Sequence, residues 1–134
     1  MGGHDGAAGT LDTVEVYDPQ ADIWQRVASM PRALHHHAAA AMGGKIYVTG
    51  GRPGGALNSV YVYDPQADAW TQLASMGTAR KGHASAAVGG KLYVFGGHNS
   101  GRLSTAEVYD PASDSWAPVT SLTSARNSLV AVAL

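Results

Sequence analysis

A ten-residue segment occurs three times in this chain at an unvarying interval: EVYDPQADIW at 15–24, YVYDPQADAW at 61–70 and EVYDPASDSW at 107–116, so that Tyr17, Tyr63 and Tyr109 stand 46 residues apart. A second segment, GGKIYVTGG at 43–51, recurs as GGKLYVFGG at 89–97 with the same spacing. A unit of this size cannot bury its apolar face alone. The period therefore restricts the chain to solenoids or propellers, in which neighbouring units complete one another's core.

Alternation of period two decides between helical and β units. Ile46 and Val48 alternate with Tyr47 and Thr49, and Val60 and Val62 with Tyr61 and Tyr63, between Gly and Pro boundaries, which is the pattern of strands. Met42–Gly43–Gly44–Lys45 reads as a hairpin tip, since glycine supplies the positive φ of a tight turn. Tyr-Asp-Pro ends a third strand, because proline cannot donate to a ladder and aspartate bonds its own following amides. Trp24, Trp70 and Trp116 then open a fourth. Each unit is thus four antiparallel strands, a to d. Full units fall at 35–80 and 81–126, strands c and d of a partial unit at 1–34, and the first strand of another at 127–134.

Paired Gly after an apolar strand, then Tyr-Asp-Pro, then Trp six residues after the Asp, resembles the Kelch motif, and the resemblance covers nearly the whole chain. It implies an all-β fold of Kelch-type β-propeller blades, four-stranded and antiparallel, with two complete blades plus partial blades at each end. It also implies that the repeated Gly, Tyr and Trp are packing residues. Overlaying the copies puts Leu134 opposite Val88 and Gly2-Gly3 opposite Gly96-Gly97, one strand short of three whole units. Propellers abolish sheet edges by closing. The chain is therefore expected to be either a segment of a longer propeller or a self-assembling unit, a homodimer completing a six-bladed ring with strand b missing from two blades.

Nine Lys and Arg against ten Asp and Glu leave no net charge that would attract nucleic acid or a membrane, and neither is an expected partner. The absence of cysteine excludes disulfides, thiolate zinc sites, iron–sulfur clusters and a cysteine nucleophile. The N-terminus has no leader pattern and no apolar run nears the roughly 20 residues of a membrane span, which favours the cytoplasm. Gly-Gly-Lys is followed by Ile46 and Leu92, so it lacks the Ser or Thr of a phosphate loop. No cofactor and no catalytic residues are expected. A propeller sugar isomerase or lyase is the alternative to a binding module. The Ala- and Gly-rich composition points to a bacterial more than an animal source.

Antiparallel order puts the d–a and b–c connections on one face. That face collects Arg32, Arg80, Lys81 and Arg126 from the former and Arg52, His98, Asn99 and Arg102 from the latter. The c–d turns opposite carry Asp18, Asp22, Asp64, Asp68, Asp110 and Asp114, against Lys45 and Lys91 in the a–b turns. A neutral chain thus hides a polarity across the disc. The expected partner is a protein or peptide, acidic in character, met by arginine forks on the basic face. Asn58, Asn99, Ser100 and Asn127 serve either as polar contacts or as turn formers. His35, His37 and His83 are the only candidates for a metal site. The recurrence of His37 as His83 favours a structural role near the channel mouth.

Overall fold

The computed structural model describes residues 1–133, which are all-β, with no helix among them. A small hairpin, β1 (His4–Asp5) and β2 (Gly9–Thr10), precedes the two-stranded sheet β3 (Val14–Asp18) and β4 (Ile23–Val27). Two four-stranded antiparallel sheets follow, each a complete blade. The first is β5 (Ala38–Met42), β6 (Lys45–Thr49), β7 (Val60–Asp64) and β8 (Ala69–Leu73); the second is β9 (Ala84–Val88), β10 (Lys91–Phe95), β11 (Ala106–Asp110) and β12 (Ser115–Val119). Strand order in space equals order in the chain, and β5 meets β9, so the first strand of each blade is innermost.

The local sequence explains the turns. Gly43 and Gly44, and again Gly89 and Gly90, have φ of 59°, 74°, 58° and 74°, the left-handed pair that a two-residue hairpin needs to match strand twist. The third and fourth strands are joined through an aspartate in the same left-handed region, with φ of 53° at Asp22, 47° at Asp68 and 46° at Asp114. Aspartate tolerates that conformation better than most residues. Across the turn Tyr63 pairs with Trp70 and Tyr109 with Trp116, their rings 5.1 and 5.2 Å apart.

The core lies between blades. Val14, Met30 and Leu34 pack with Val48 and Tyr61, and one period on Val60, Met76 and Val94 pack together; a further cluster joins Tyr47 and Val62 of the first blade to Leu92 and Tyr109 of the second. A polar joint sits beside each layer. Asp68 Oδ1 accepts the Tyr63 hydroxyl at 2.7 Å and the Ala28 amide of the preceding sheet at 2.8 Å, while Trp70 Nε1 donates to the Ala28 carbonyl at 2.8 Å. Asp114, Tyr109 and Trp116 repeat the joint on Ala74. Ala28 and Ala74 follow the outermost strands, where no further strand satisfies the backbone; the next blade does so instead.

Residues 127–133, expected as a strand, form none. They run beside His83, Ala84 and Ser85 at the start of β9 but form no ladder with it. The last residue of that expected strand, Leu134, lies outside the described residues.

Replacing Trp116 with Phe keeps an aromatic ring but removes the donor to Ala74. The expected loss is about 1–2 kcal/mol of unfolding free energy, measured by urea denaturation, with a similar loss for Trp70→Phe.

Candidate partner-binding face

The d–a and b–c connections are tied together by backbone bonds that repeat with the period. Leu34, Arg80 and Arg126 donate to the carbonyls of Leu11, Leu57 and Leu103 at 3.1, 2.9 and 3.0 Å. A second series runs around the axis: Gly82 N donates to His36 O at 2.8 Å, and Ser128 N to Gly82 O at 2.7 Å. His36, Gly82 and Ser128 occupy equivalent positions and share one left-handed conformation, with φ of 55°, 58° and 55°. These bonds gather the innermost residues of successive units into a hollow of about 250 Å³ lined by His36, Arg52, Lys81, His98, Asn127 and Ser128.

Of the basic residues read from the sequence, Arg52, Lys81 and His98 share this hollow. Arg52 pairs by backbone with His35, and Lys81 with His98. Arg52 Nε is buried without a hydrogen-bond partner, and neither Arg52 nor Lys81 forms an ion pair among the described residues. Arg32, Arg102 and Arg126 are exposed and lie outside the hollow. Asn99 Oδ1 accepts from the Ser100 amide and hydroxyl, and Asn58 Nδ2 donates to Met76 O, so both serve their own turns.

Arg80 is a correction. Expected on the open face, it is fully buried. Its guanidinium donates to Gly96 O at 2.6 Å, Thr105 O at 3.1 Å and Glu107 Oε2 at 2.7 Å, and Glu107 in turn accepts the Gly77 and Thr78 amides at 2.7 and 3.2 Å. A buried charge is retained only when paired and hydrogen-bonded, and here the pair locks one blade to the next. The equivalent positions one unit earlier, Leu34 and Tyr61, are buried in a common apolar cluster.

The three histidines weighed as metal ligands are held apart in role. The left-handed backbone at His36 breaks the strand alternation expected across 35–37. His35 Nδ1 meets Thr10 Oγ1 at 3.0 Å, while His83 Nε2 meets Thr49 Oγ1 at 2.8 Å. No cluster of three metal-ligating side chains occurs among the described residues. Burial, then Arg80, then His37 push the His83 pKa down to about 3, and burial chiefly lowers that of His37. His35 is lowered first by burial and then by the positive field of His36, Arg52, His4 and Lys81.

The family model described as the KLHDC2/KLHL20/DRC7 Kelch-repeats domain matches residues 1–133. The chain belongs to the Kelch-repeat family. Human Kelch-like protein 35 is 43% identical over 56 residues, which is 41% of this chain and 9% of that protein. Human Kelch-like protein 33 is 42% identical over 41 residues, 31% of this chain and 8% of that protein. F-box/kelch-repeat protein At1g67480 of Arabidopsis thaliana is 40% identical over 52 residues, 39% and 14% respectively. Each match thus spans a small part of the relative's length. The relatives are animal and plant proteins, and they lend no support to the bacterial source suggested by composition.

Sequence reasoning missed His36 and Ser128 as lining residues of this Kelch face. Their signal was available: they share a repeat position with Gly82, and a glycine there marks a left-handed turn facing the axis. The opposite face is less acidic in effect than its composition, because Lys45 pairs with Asp64 at 3.0 Å and Lys91 with Asp110 at 3.2 Å.

Arg80→Ala leaves the Glu107 carboxylate buried and unpaired and is expected to cost about 3–5 kcal/mol; Arg80→Leu combined with Glu107→Tyr, copying Leu34 and Tyr61, should recover most of it in urea denaturation. His83 and His37 hold pKa values below 6.5 in the folded chain, so the unfolded chain binds more protons as the pH falls. Stability is fully present above about pH 6.5 and declines toward acid, by up to about 1.4 kcal/mol per pH unit for each group. Urea midpoints between pH 6.5 and 5 should fall accordingly, and less steeply in His83→Gln.

Proposed function

We propose that this Kelch module is a protein-interaction domain that takes an acidic segment of its partner at the d–a and b–c face, with a partner carboxylate seated between Arg52 and Lys81. The observation that carries this reading is the convergence of two cations without counter-ions on one hollow. Elsewhere among the described residues the buried and half-buried charges are matched: Arg80 by Glu107, Lys45 by Asp64, Lys91 by Asp110. At the hollow, Arg52 and Lys81 face His36 and His98 instead. An arginine fork binds a carboxylate with two parallel bonds and about twice the strength of neutral pairs, and a partly desolvated site reinforces the attraction.

The size of the hollow favours a side chain over a free metabolite. At about 250 Å³ it falls below the roughly 300–1,000 Å³ that small-molecule sites occupy, which counts against the sugar isomerase or lyase alternative. Variable loops around it, RPGGALNS at 52–59 and HNSGRLST at 98–105, would supply selectivity among acidic partners.

The test is fluorescence anisotropy with a labelled Glu- and Asp-rich peptide and its Lys-substituted counterpart. The acidic peptide should bind, more weakly as salt rises. Arg52→Gln should raise Kd roughly tenfold or more, whereas Arg32→Gln, outside the hollow, should change it less than about threefold. Binding that is indifferent to Arg52 and Lys81 would place the partner elsewhere.

A further inference from the structure

The chain has three asparagines, Asn58, Asn99 and Asn127, and each is followed by serine. Asparagine is among the chemically labile residues, because the amide nitrogen of the following residue can attack its side-chain carbonyl carbon. With the same following residue at all three, the reactivity set by sequence is similar. Differences between them come from the fold.

Two of the three are held away from that reaction. Asn58 Nδ2 donates to the Met76 carbonyl at 3.3 Å and the Met76 amide donates to the Asn58 carbonyl at 2.9 Å, so the side chain is drawn from its own backbone towards the d–a connection. At Asn127 the constraint lies on the other reactant. The Ser128 amide donates to Gly82 O at 2.7 Å, fixed in the bond series that joins the units.

Asn99 is folded the opposite way. Its Oδ1 accepts the Ser100 amide at 2.5 Å, which leaves the carbonyl carbon one bond away from contact with the nitrogen that attacks it. The Ser100 hydroxyl donates to the same oxygen at 3.3 Å, where negative charge develops during attack. Reactants already in contact need no search through chain conformations. The loop permits the remaining motion. Backbone pairing of His98 with Arg102 closes it, Ser100 and Gly101 at its tip are exposed, and nothing lies within 4 Å of the place a Gly101 side chain would take.

We infer that Asn99 is a modification site, at which the chain deamidates itself with water as the only co-reactant. Ser100 N loses its proton to solvent base and bonds to Asn99 Cγ. The Cγ–Nδ2 bond then breaks and Nδ2 departs as ammonia, leaving a five-membered imide. Water opens the imide at either carbonyl. Opening at the side-chain carbonyl gives aspartate; opening at the main-chain carbonyl gives isoaspartate, with the chain rerouted through the side chain. Either product places a carboxylate one residue from His98, which pairs by backbone with Lys81, and so lowers the positive charge of the d–a and b–c face.

The folded chain, kept at mildly alkaline pH and body temperature, is sampled over time and digested with trypsin, which places each asparagine in a peptide of its own. Mass mapping should show Asn99 converting at least roughly tenfold faster than Asn58 or Asn127, with isoaspartate as part of the product. In urea, where the native loop is lost, the three rates should come within about threefold of one another. Equal rates in the folded chain would overturn the inference, and so would a lead of Asn99 that persists undiminished in urea. Mass mapping involves no ligand, so neither result bears on acidic-peptide binding.

Discussion

The aspartate carboxylates in the turns between third and fourth strands make bonds that lead out of their own blade. Asp68 and Asp114, two residues before Trp70 and Trp116, each join a tyrosine of their own sheet to the backbone of the sheet before, and the tryptophan completes the same residue's hydrogen bonding. The amides of Ala28 and Ala74, then the tyrosine hydroxyls, hold both carboxyls below the usual carboxylate range. Burial first and the aspartate bond second raise the Tyr63 pKa to about 12 and push Tyr109 up likewise. Carboxylate and phenol therefore keep opposite protonation states across the neutral range. The joint stays intact where the histidines begin to oppose folding.

This joint also accounts for the unequal character of the two faces. On the c–d side, aspartates are consumed as structural acceptors or paired with Lys45 and Lys91, so little free charge remains. On the other side the backbone satisfies itself through a ladder of turn-to-loop bonds, leaving the Arg52 and Lys81 side chains uncommitted among the described residues. Polarity across the disc comes from which face needs its charges for construction, more than from their number.

Much of this was legible in the sequence because the period is regular enough to align every position. The full blades, the Gly-Gly hairpins and the aspartate turns at 64–68 and 110–114 follow from alternation and turn chemistry. Arg80 was misplaced because residue type and loop position both suggested exposure. The correcting clue was a buried-type residue, Leu34, at the equivalent position, together with the change from Tyr61 to Glu107 across the joint. The turn at His36 was hidden because three consecutive histidines obey no binary pattern, so strand alternation was extended through a residue with φ of 55°. The segment at 127–133 has a strand's composition, but a ladder depends on a neighbour that composition does not report.

The bonds that tie successive units together at the inner edge of the face run from backbone to backbone through His36, Gly82 and Ser128. Their side chains contribute nothing to those bonds, and the three residues are as unlike as an imidazole, a hydrogen atom and a hydroxymethyl group. Such a position works as a socket: the scaffold asks for a backbone N–H or C=O and tolerance of a left-handed turn, at a cost of about 1–2 kcal/mol for most side chains, and that turn excludes proline. The chemistry displayed at the hollow can therefore be exchanged one residue at a time while the blades behind it remain unchanged. What this face displays and what holds the blades together are separable properties in this chain.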